Sequence, residues 1–508
     1  MLAGWPERVV IVGGGTAGWL AALVVGDAAR RAGKPCAITV VESSKLGTIG
    51  VGEGTTAVFR QMLQHLGIDE MRFLAETDAT IKYGIRHRDW RRVGHSYDGP
   101  IDDPHLVAGG DRSATFLDAY QIAHGRPVGE THLFQSLMER RKGPFALRGG
   151  RRVPLGPFHH AYHFDQAEVG KFLRRQAQGV TVIDDQVQAV NRDAETGDVV
   201  GLGLEGGGTV TGDLYLDCTG FRRRLISELG ADWIGYGDVL PLNRAMPFWI
   251  DLAPGEEIDP FTLAWAQGSG WLWKIPTARR YGCGYVYSDA HLTPEAAKAE
   301  VEAALGRTIE PRNDIRIDAG RLDRVWIGNC VALGLASAFL EPLEATSIHG
   351  TVVQLMLLTT LIGKPSPQNP DRYNTAVARQ VDDFRDFIRL HYVSERRDTP
   401  FWRDVAASQP ATVTERLALW ARRTPAATDF APFPLGLPHV GHHLHMPVLD
   451  GLGLLSAAAA KADLAARPKL RAHARKTAAA LIREYRIAAG RAEGHRQFLN
   501  SLTEEIAA

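Results

Sequence analysis

Residues 9–18 read V-V-I-V-G-G-G-T-A-G, and this stretch restricts the possible fold more than any other. A β-branched apolar run, Val9–Val12, feeds a glycine cluster. An Ala/Leu-rich segment from Ala17 to Ala32 follows, and a second apolar run, Ala37–Val41, ends on Glu42. The pattern predicts a β-turn-α-β unit carrying G-x-G-x-x-G at Gly13, Gly15 and Gly18. In such a unit the first glycine permits the tight turn, the second admits a pyrophosphate and the third lets the helix pack on the strand. The helix N-terminus, starting at Thr16 and Ala17, offers free N–H groups and partial positive charge to phosphates. Glu42 falls where an acid accepts hydrogen bonds from a ribose. Without a ligand, the same residues would form an ordinary βαβ turn.

The chain has 508 residues, enough for more than one lobe, and 58 basic residues against 58 acidic ones. A zero net charge favours neither nucleic acid nor a charged membrane surface as partner. Cys36, Cys218, Cys283 and Cys330 are far apart and lie in or beside apolar runs, so they are expected to be reduced core residues. No apolar run is long enough to span a bilayer. The early start of the first strand leaves no room for a signal peptide, and the expected location is the cytoplasm. His442, His443 and His445 could bind a metal, but with no supporting carboxylate or cysteine the stretch 424–448 reads as a loop and no metal is expected.

Further on, Gly47–Thr55 holds four glycines in eight residues (Gly47, Gly50, Gly52 and Gly54) and reads as a loop approaching the same dinucleotide through Gly50, Val51 and Gly52. A helix is expected over 56–66. Residues 79–90 alternate apolar and polar side chains, which predicts one strand; on its pattern alone Lys82 would lie on a solvated face. Residues 91–160 look like loops and short helices outside the nucleotide core. A helix is expected to begin within 161–165, with Asp165 as its N-cap. Strands are expected at 180–184 and 199–204. D-L-Y-L-D-C-T-G-F, residues 213–221, reads as a strand returning to the dinucleotide. W-L-W-K-I-P, residues 271–276, places Trp271 and Trp273 on one strand face. A strand is expected over 325–333, then a helix beginning at Pro342 or Glu344 and running to Leu361. The N–H groups of its first turn, around Thr346 and Ser347, could hold an anion.

Taken together, these pieces resemble the flavin-dependent halogenases of the tryptophan halogenase family. The most specific element is W-x-W-x-I-P at Trp271, Trp273, Ile275 and Pro276, combined with the N-terminal glycine motif. The resemblance implies an α/β fold with a flavin monooxygenase-like FAD-binding core (1–90 and 161–350) and a mainly helical second lobe (91–160 and 351–508) on the substrate side. It implies Lys82 and Glu344 as catalytic residues, close in space, with Glu344 the second glutamate of E-P-L-E-A-T-S. Thr346 and Ser347 match the halide pair, and Leu335 joins the flavin contacts. The tryptophan pair, with Ile275 and Pro276, becomes a wall between flavin and substrate compartments.

The implied reaction uses reduced FAD, oxygen and chloride or bromide. A flavin C4a-hydroperoxide yields hypohalous acid, which reaches Lys82 and halogenates an electron-rich aromatic ring whose proton Glu344 takes. One dinucleotide fingerprint is present and a second for NAD(P)H is not, so a separate NAD(P)H-dependent flavin reductase is expected. The protein itself would be a monomer or homodimer. Two departures stand out. Ala345 and Ser347 occupy positions held by serine and glycine in tryptophan-specific members, which suggests bromide preference. Residues Phe430–Leu449 contain no tyrosine or glutamate to hold an amino-acid backbone. Indole or an indole derivative is therefore the expected substrate. The competing readings are an aromatic monooxygenase, which needs substrate at the flavin, and a non-catalytic flavin carrier, which needs no Lys82–Glu344 pair.

Overall fold

A computed structural model describes residues 4–46 and 52–507. Its centre is a six-stranded sheet in the order Thr181–Asp184, Ala37–Glu42, Arg8–Val12, Leu214–Asp217, Cys330–Ala332 and Trp326–Ile327. The first five strands are parallel, with Val10 opposite both Thr39 and Tyr215. Helices cover such sheets on both faces, which is why Val9, Val10 and Ile11 form a continuous apolar run and are fully buried. Helix Thr16–Arg31 packs against helices Gln166–Gln176 and Thr346–Ile362.

A seven-stranded sheet lies beside this core, in the order Ile315–Arg316, Arg244–Asp251, Arg280–Tyr287, Gly270–Pro276, Thr262–Ala266, Gly84–Arg88 and Ser96–Pro100. All pairs are antiparallel except Thr262–Ala266 with Gly84–Arg88. A small sheet of Gly52–Gly54, Ala161–Asp165 and Thr80–Lys82 bridges the two. The remainder is mainly helical, from Asn369–His391 to His495–Ala507. This is the α/β core with a helical second lobe that the sequence implied. The expected core boundary at residue 90 falls between two paired strands of the seven-stranded sheet. Among the described residues no helix is long and apolar enough to cross a membrane. All four cysteines are unpaired.

Several local expectations change. The single strand over 79–90 is two strands in different sheets, broken at Tyr83. Its N–H donates to the Pro260 carbonyl at 2.8 Å and its carbonyl accepts from Ile101 N–H at 2.9 Å, so its backbone bonds leave the ladder. Ala161–Asp165 is a strand, although Asp165 does cap the next helix by accepting from Ala167 N–H at 2.9 Å. The strand over 325–333 is a hairpin turning at Gly328, φ +55°. Residues 442–451 form a helix, not a loop. Pro342–Glu344 is a separate 3₁₀ turn. Ala345 at φ +55° breaks the chain before helix Thr346–Ile362 begins.

Candidate active site

The glycine motif builds an open cradle. A Cβ on Gly13, whose φ is +113°, would lie 2.2 Å from the Cys218 carbonyl oxygen, and one on Gly18 would lie 1.9 Å from that of Gly13. Turn and helix therefore meet the sheet in direct backbone contact. A Cβ on Gly15 would meet nothing within 4 Å. Beside that space the Thr16 hydroxyl is buried with no hydrogen-bond partner. An open cradle, a helix N-terminus and an orphaned hydroxyl together suit a phosphate group. Glu42 lies against this turn and pairs with Arg174 at 2.6 Å.

From this cradle a cleft of about 1370 Å³ runs past Gly52, Gly54, Leu335, Trp273 and Ile275 to Lys82, Ala345, Thr346 and Ser347. The structure thus gathers Thr16, Ala17, Gly52, Leu335, the halide pair, two wall residues and the lysine around one space. Gly50 and Val51 lie outside the described residues. Trp271 and Pro276 stand behind the lining. The Trp271 indole N–H points at Glu341 Oε2 at 3.3 Å, and the Pro276 carbonyl accepts from the Thr80 hydroxyl at 2.7 Å. The two tryptophan ring centres are 6.2 Å apart, on one strand face as expected. Trp273 covers Gly284, where a Cβ would come within 2.0 Å of its ring.

Lys82 is 1% exposed, and its Nζ donates to the Thr55 carbonyl at 2.9 Å. Burial lowers its pKa from 10.5 to about 8, against the raising effect of the nearby Glu344 charge. The strand's polar face is therefore not solvated here; it is enclosed by the small sheet and by His163. Burial and the Lys82 charge push the His163 pKa well below the histidine range, so its ring is neutral and bonds the Thr262 hydroxyl at 2.9 Å.

Glu344 faces two histidines that sequence reasoning missed. Its Oε1 stands 2.9 Å from His391 Nε2 and 3.5 Å from His87 Nε2. Burial would raise the Glu344 pKa, but these two rings overcome it and hold the carboxyl near 2. His87 stacks on Tyr97 with ring centres 4.6 Å apart, and burial keeps its pKa below the ordinary histidine value. The three side chains are the one group among the described residues placed closely enough to share a metal ion. His87 carried one sequence signal, its position two turns of the strand pattern beyond Lys82; His391, at the end of a 23-residue helix, carried none. Glu341, read from sequence as a helix-start acid, is 1% exposed and accepts from the Tyr392 hydroxyl at 2.5 Å. The histidines at 442 and 445 are buried and bond the Pro425 and Gly441 carbonyls.

A family model described as tryptophan halogenase matches residues 8–435. Tryptophan 6-halogenase SttH of Streptomyces toxytricini is 34% identical over 496 residues, covering 91% of this chain and 93% of its own. Tryptophan 7-halogenase RebH of Lentzea aerocolonigenes is 34% identical over 432 residues, 79% of each chain. The solved structure of BrvH, a flavin-dependent halogenase from Brevundimonas sp. BAL3, matches with a TM-score of 0.83 at 33% identity, over 98% of this chain and 99% of that one. The cradle, the walled cleft and these likenesses agree, and the chain belongs to the tryptophan halogenase family.

Proposed function

We propose that the protein halogenates an electron-rich aromatic ring, indole or an indole derivative, using reduced FAD, oxygen and a halide. The observation that carries this reading is Lys82, a buried amine at the end of a dinucleotide-sized cleft and within the field of the Glu344 carboxylate. The open space at Gly15 and the orphaned Thr16 hydroxyl fit the FAD pyrophosphate, with Gly13, Ala17 and Gly18 shaping the turn and Glu42 beside it for the ribose. Gly50, Val51, Gly52 and Leu335 complete the flavin contacts. Reduced FAD bound there supplies, with oxygen, the oxidising equivalent that turns halide into hypohalous acid.

The chain's own residues do the rest. The first-turn N–H groups at Thr346 and Ser347 lack intrahelical acceptors and hold the halide. Trp273 and Ile275, backed by Trp271 and Pro276, keep the aromatic substrate out of the cleft. Lys82 as an ammonium donates to the hypohalous acid and makes its halogen more electrophilic. Glu344, ionised beside its histidines, stabilises the cationic ring and takes its proton. Ser347 in place of glycine favours bromide. The helix over 442–451 spends His442 and His445 on backbone carbonyls, and residues 430–449 hold no tyrosine or glutamate, which supports a substrate without an amino-acid backbone. Reduced flavin comes from a separate NAD(P)H-dependent reductase, and the working unit is a monomer or homodimer.

The test is mass spectrometry of indole incubated with FAD, a flavin reductase, NADH, oxygen and competing bromide and chloride. A halogen mass shift, richer in bromine and absent with Lys82→Ala, is expected. Oxygen insertion without halogen would replace this reading with the monooxygenase one.

A further inference from the structure

The contact between Glu344 and His391 contains more information than its distance. His391 Nδ1 lies 2.9 Å from the Phe387 carbonyl oxygen. A carbonyl only accepts, so Nδ1 carries a proton. In a neutral ring Nε2 would then be a bare lone pair, facing Glu344 Oε1 at 2.9 Å. Two lone pairs cannot sit that close in a buried site, so one more proton lies between them. Its place is decided by the surroundings. His391 ends helix Asn369–His391, where the helix dipole and unsatisfied carbonyls favour a cation. Glu344 is also within the field of Lys82, which favours a carboxylate. The other titratable groups facing the pair are His87 and Tyr97 near Glu344 and His445 near His391; burial keeps all three neutral.

We propose that His391 is a positioning residue for the ring-deprotonation step: as an imidazolium anchored on the Phe387 carbonyl, it keeps Glu344 ionised and its carboxylate aimed. The proposal rests on reading Glu344 as the acceptor of the ring proton. In that step the ring C–H bond breaks, its electron pair returns to the ring, and the proton forms an O–H bond on Glu344. His391 keeps its own two protons throughout and contacts neither substrate nor cofactor.

His391→Phe removes the cation and leaves Glu344 to the effect of burial, which favours the neutral carboxylic acid. Indole halogenation by wild type and variant is compared in single turnovers from pH 5.5 to 8. The variant-to-wild-type rate ratio is expected to be at least tenfold lower at pH 5.5 than at pH 8. His391→Gln, which retains a hydrogen-bonding amide without charge, is expected to show the same slope and serves if the phenylalanine variant does not fold. A ratio constant with pH, or no loss, overturns the proposal, because a merely structural role lowers the rate equally everywhere. One zinc or iron per chain in the purified protein also overturns it, since an ion would then replace the proton. Hypohalous acid formed without indole, trapped by an added thioether, is followed in parallel. Its absence in wild type defeats the halogenase reading, whereas its presence in both proteins leaves the pH slope to decide on His391 alone.

Discussion

Lys82 Nζ donates to the Thr55 carbonyl at 2.9 Å in a site that shields the amine from water. Burying an ammonium disfavours folding, and the fall in its pKa from 10.5 to about 8 expresses that cost. Below pH 8 folded and unfolded chains both carry the proton and the cost is complete. Between pH 8 and 10.5 the folded lysine has lost its proton while the unfolded one has not, so stability rises with pH across that window. Lys82→Met removes the charge. It is expected to stabilise the protein at pH 7 by about 1–3 kcal/mol. Halogenation should fall by about 10²–10⁴-fold, the range of a positioned proton donor. Thermal unfolding and product mass spectrometry should therefore move in opposite directions; a destabilised variant would contradict the account of the buried charge.

Gly15 and Gly13 should respond differently to alanine. At Gly15 the backbone is extended, φ −77° and ψ −175°, and a Cβ meets only open space, so Gly15→Ala should fold with an unchanged melting temperature. The added methyl fills the cradle, and flavin affinity should drop at least about tenfold, the loss of about 1.4 kcal/mol. Gly13→Ala combines φ +113° with a clash against Cys218 and should reduce soluble protein. Flavin fluorescence titration and a melting curve separate the two outcomes; undiminished flavin binding by Gly15→Ala would place the phosphates elsewhere.

The compartment wall can be opened without touching a tryptophan. A methyl on Gly284 would come within 2.0 Å of the Trp273 ring. Gly284→Ala must therefore displace the indole, at about 1–3 kcal/mol of overpacking. Looser separation of the compartments should appear as hydroxylated indole beside the halogenated product. Halogenated product alone, at the wild-type rate, would show that Trp273 is not the barrier.

Glu341 offers a pH-dependent test of the wall's support. Burial raises its pKa from 4.5 to about 7. As pH rises from 4.5 to 7 the unfolded carboxyl ionises while the folded one keeps its proton, so folding stability falls through this window and stays lower above it. Glu341→Gln keeps an oxygen acceptor for the Tyr392 hydroxyl and the Trp271 indole and cannot ionise. It is expected to be about 1–3 kcal/mol more stable than wild type at pH 8 and indistinguishable at pH 4. Urea unfolding at the two pH values checks both halves; a stability gain at pH 4 would assign the effect to packing.

The nucleotide cradle was legible in the sequence because its causes are local. A β-branched run makes a buried strand, the glycines allow backbone contact within a few residues, and Asp165 caps the helix that starts beside it. The apolar stretch after Thr346 likewise determined its own helix. Lys82 was legible only through family likeness, since its alternating pattern is that of a solvated face. Tertiary structure decided its burial by breaking the strand at Tyr83, whose backbone finds partners at Pro260 and Ile101. It also decided the charge state of Glu344. That depends on His87 from one strand and His391 from the end of a distant helix, brought within 3.5 Å of one oxygen by packing. Propensity and capping act over a few residues and can be read along the chain. The electrostatics of a buried group depend on whatever the whole fold places around it, and no run of neighbours encodes that.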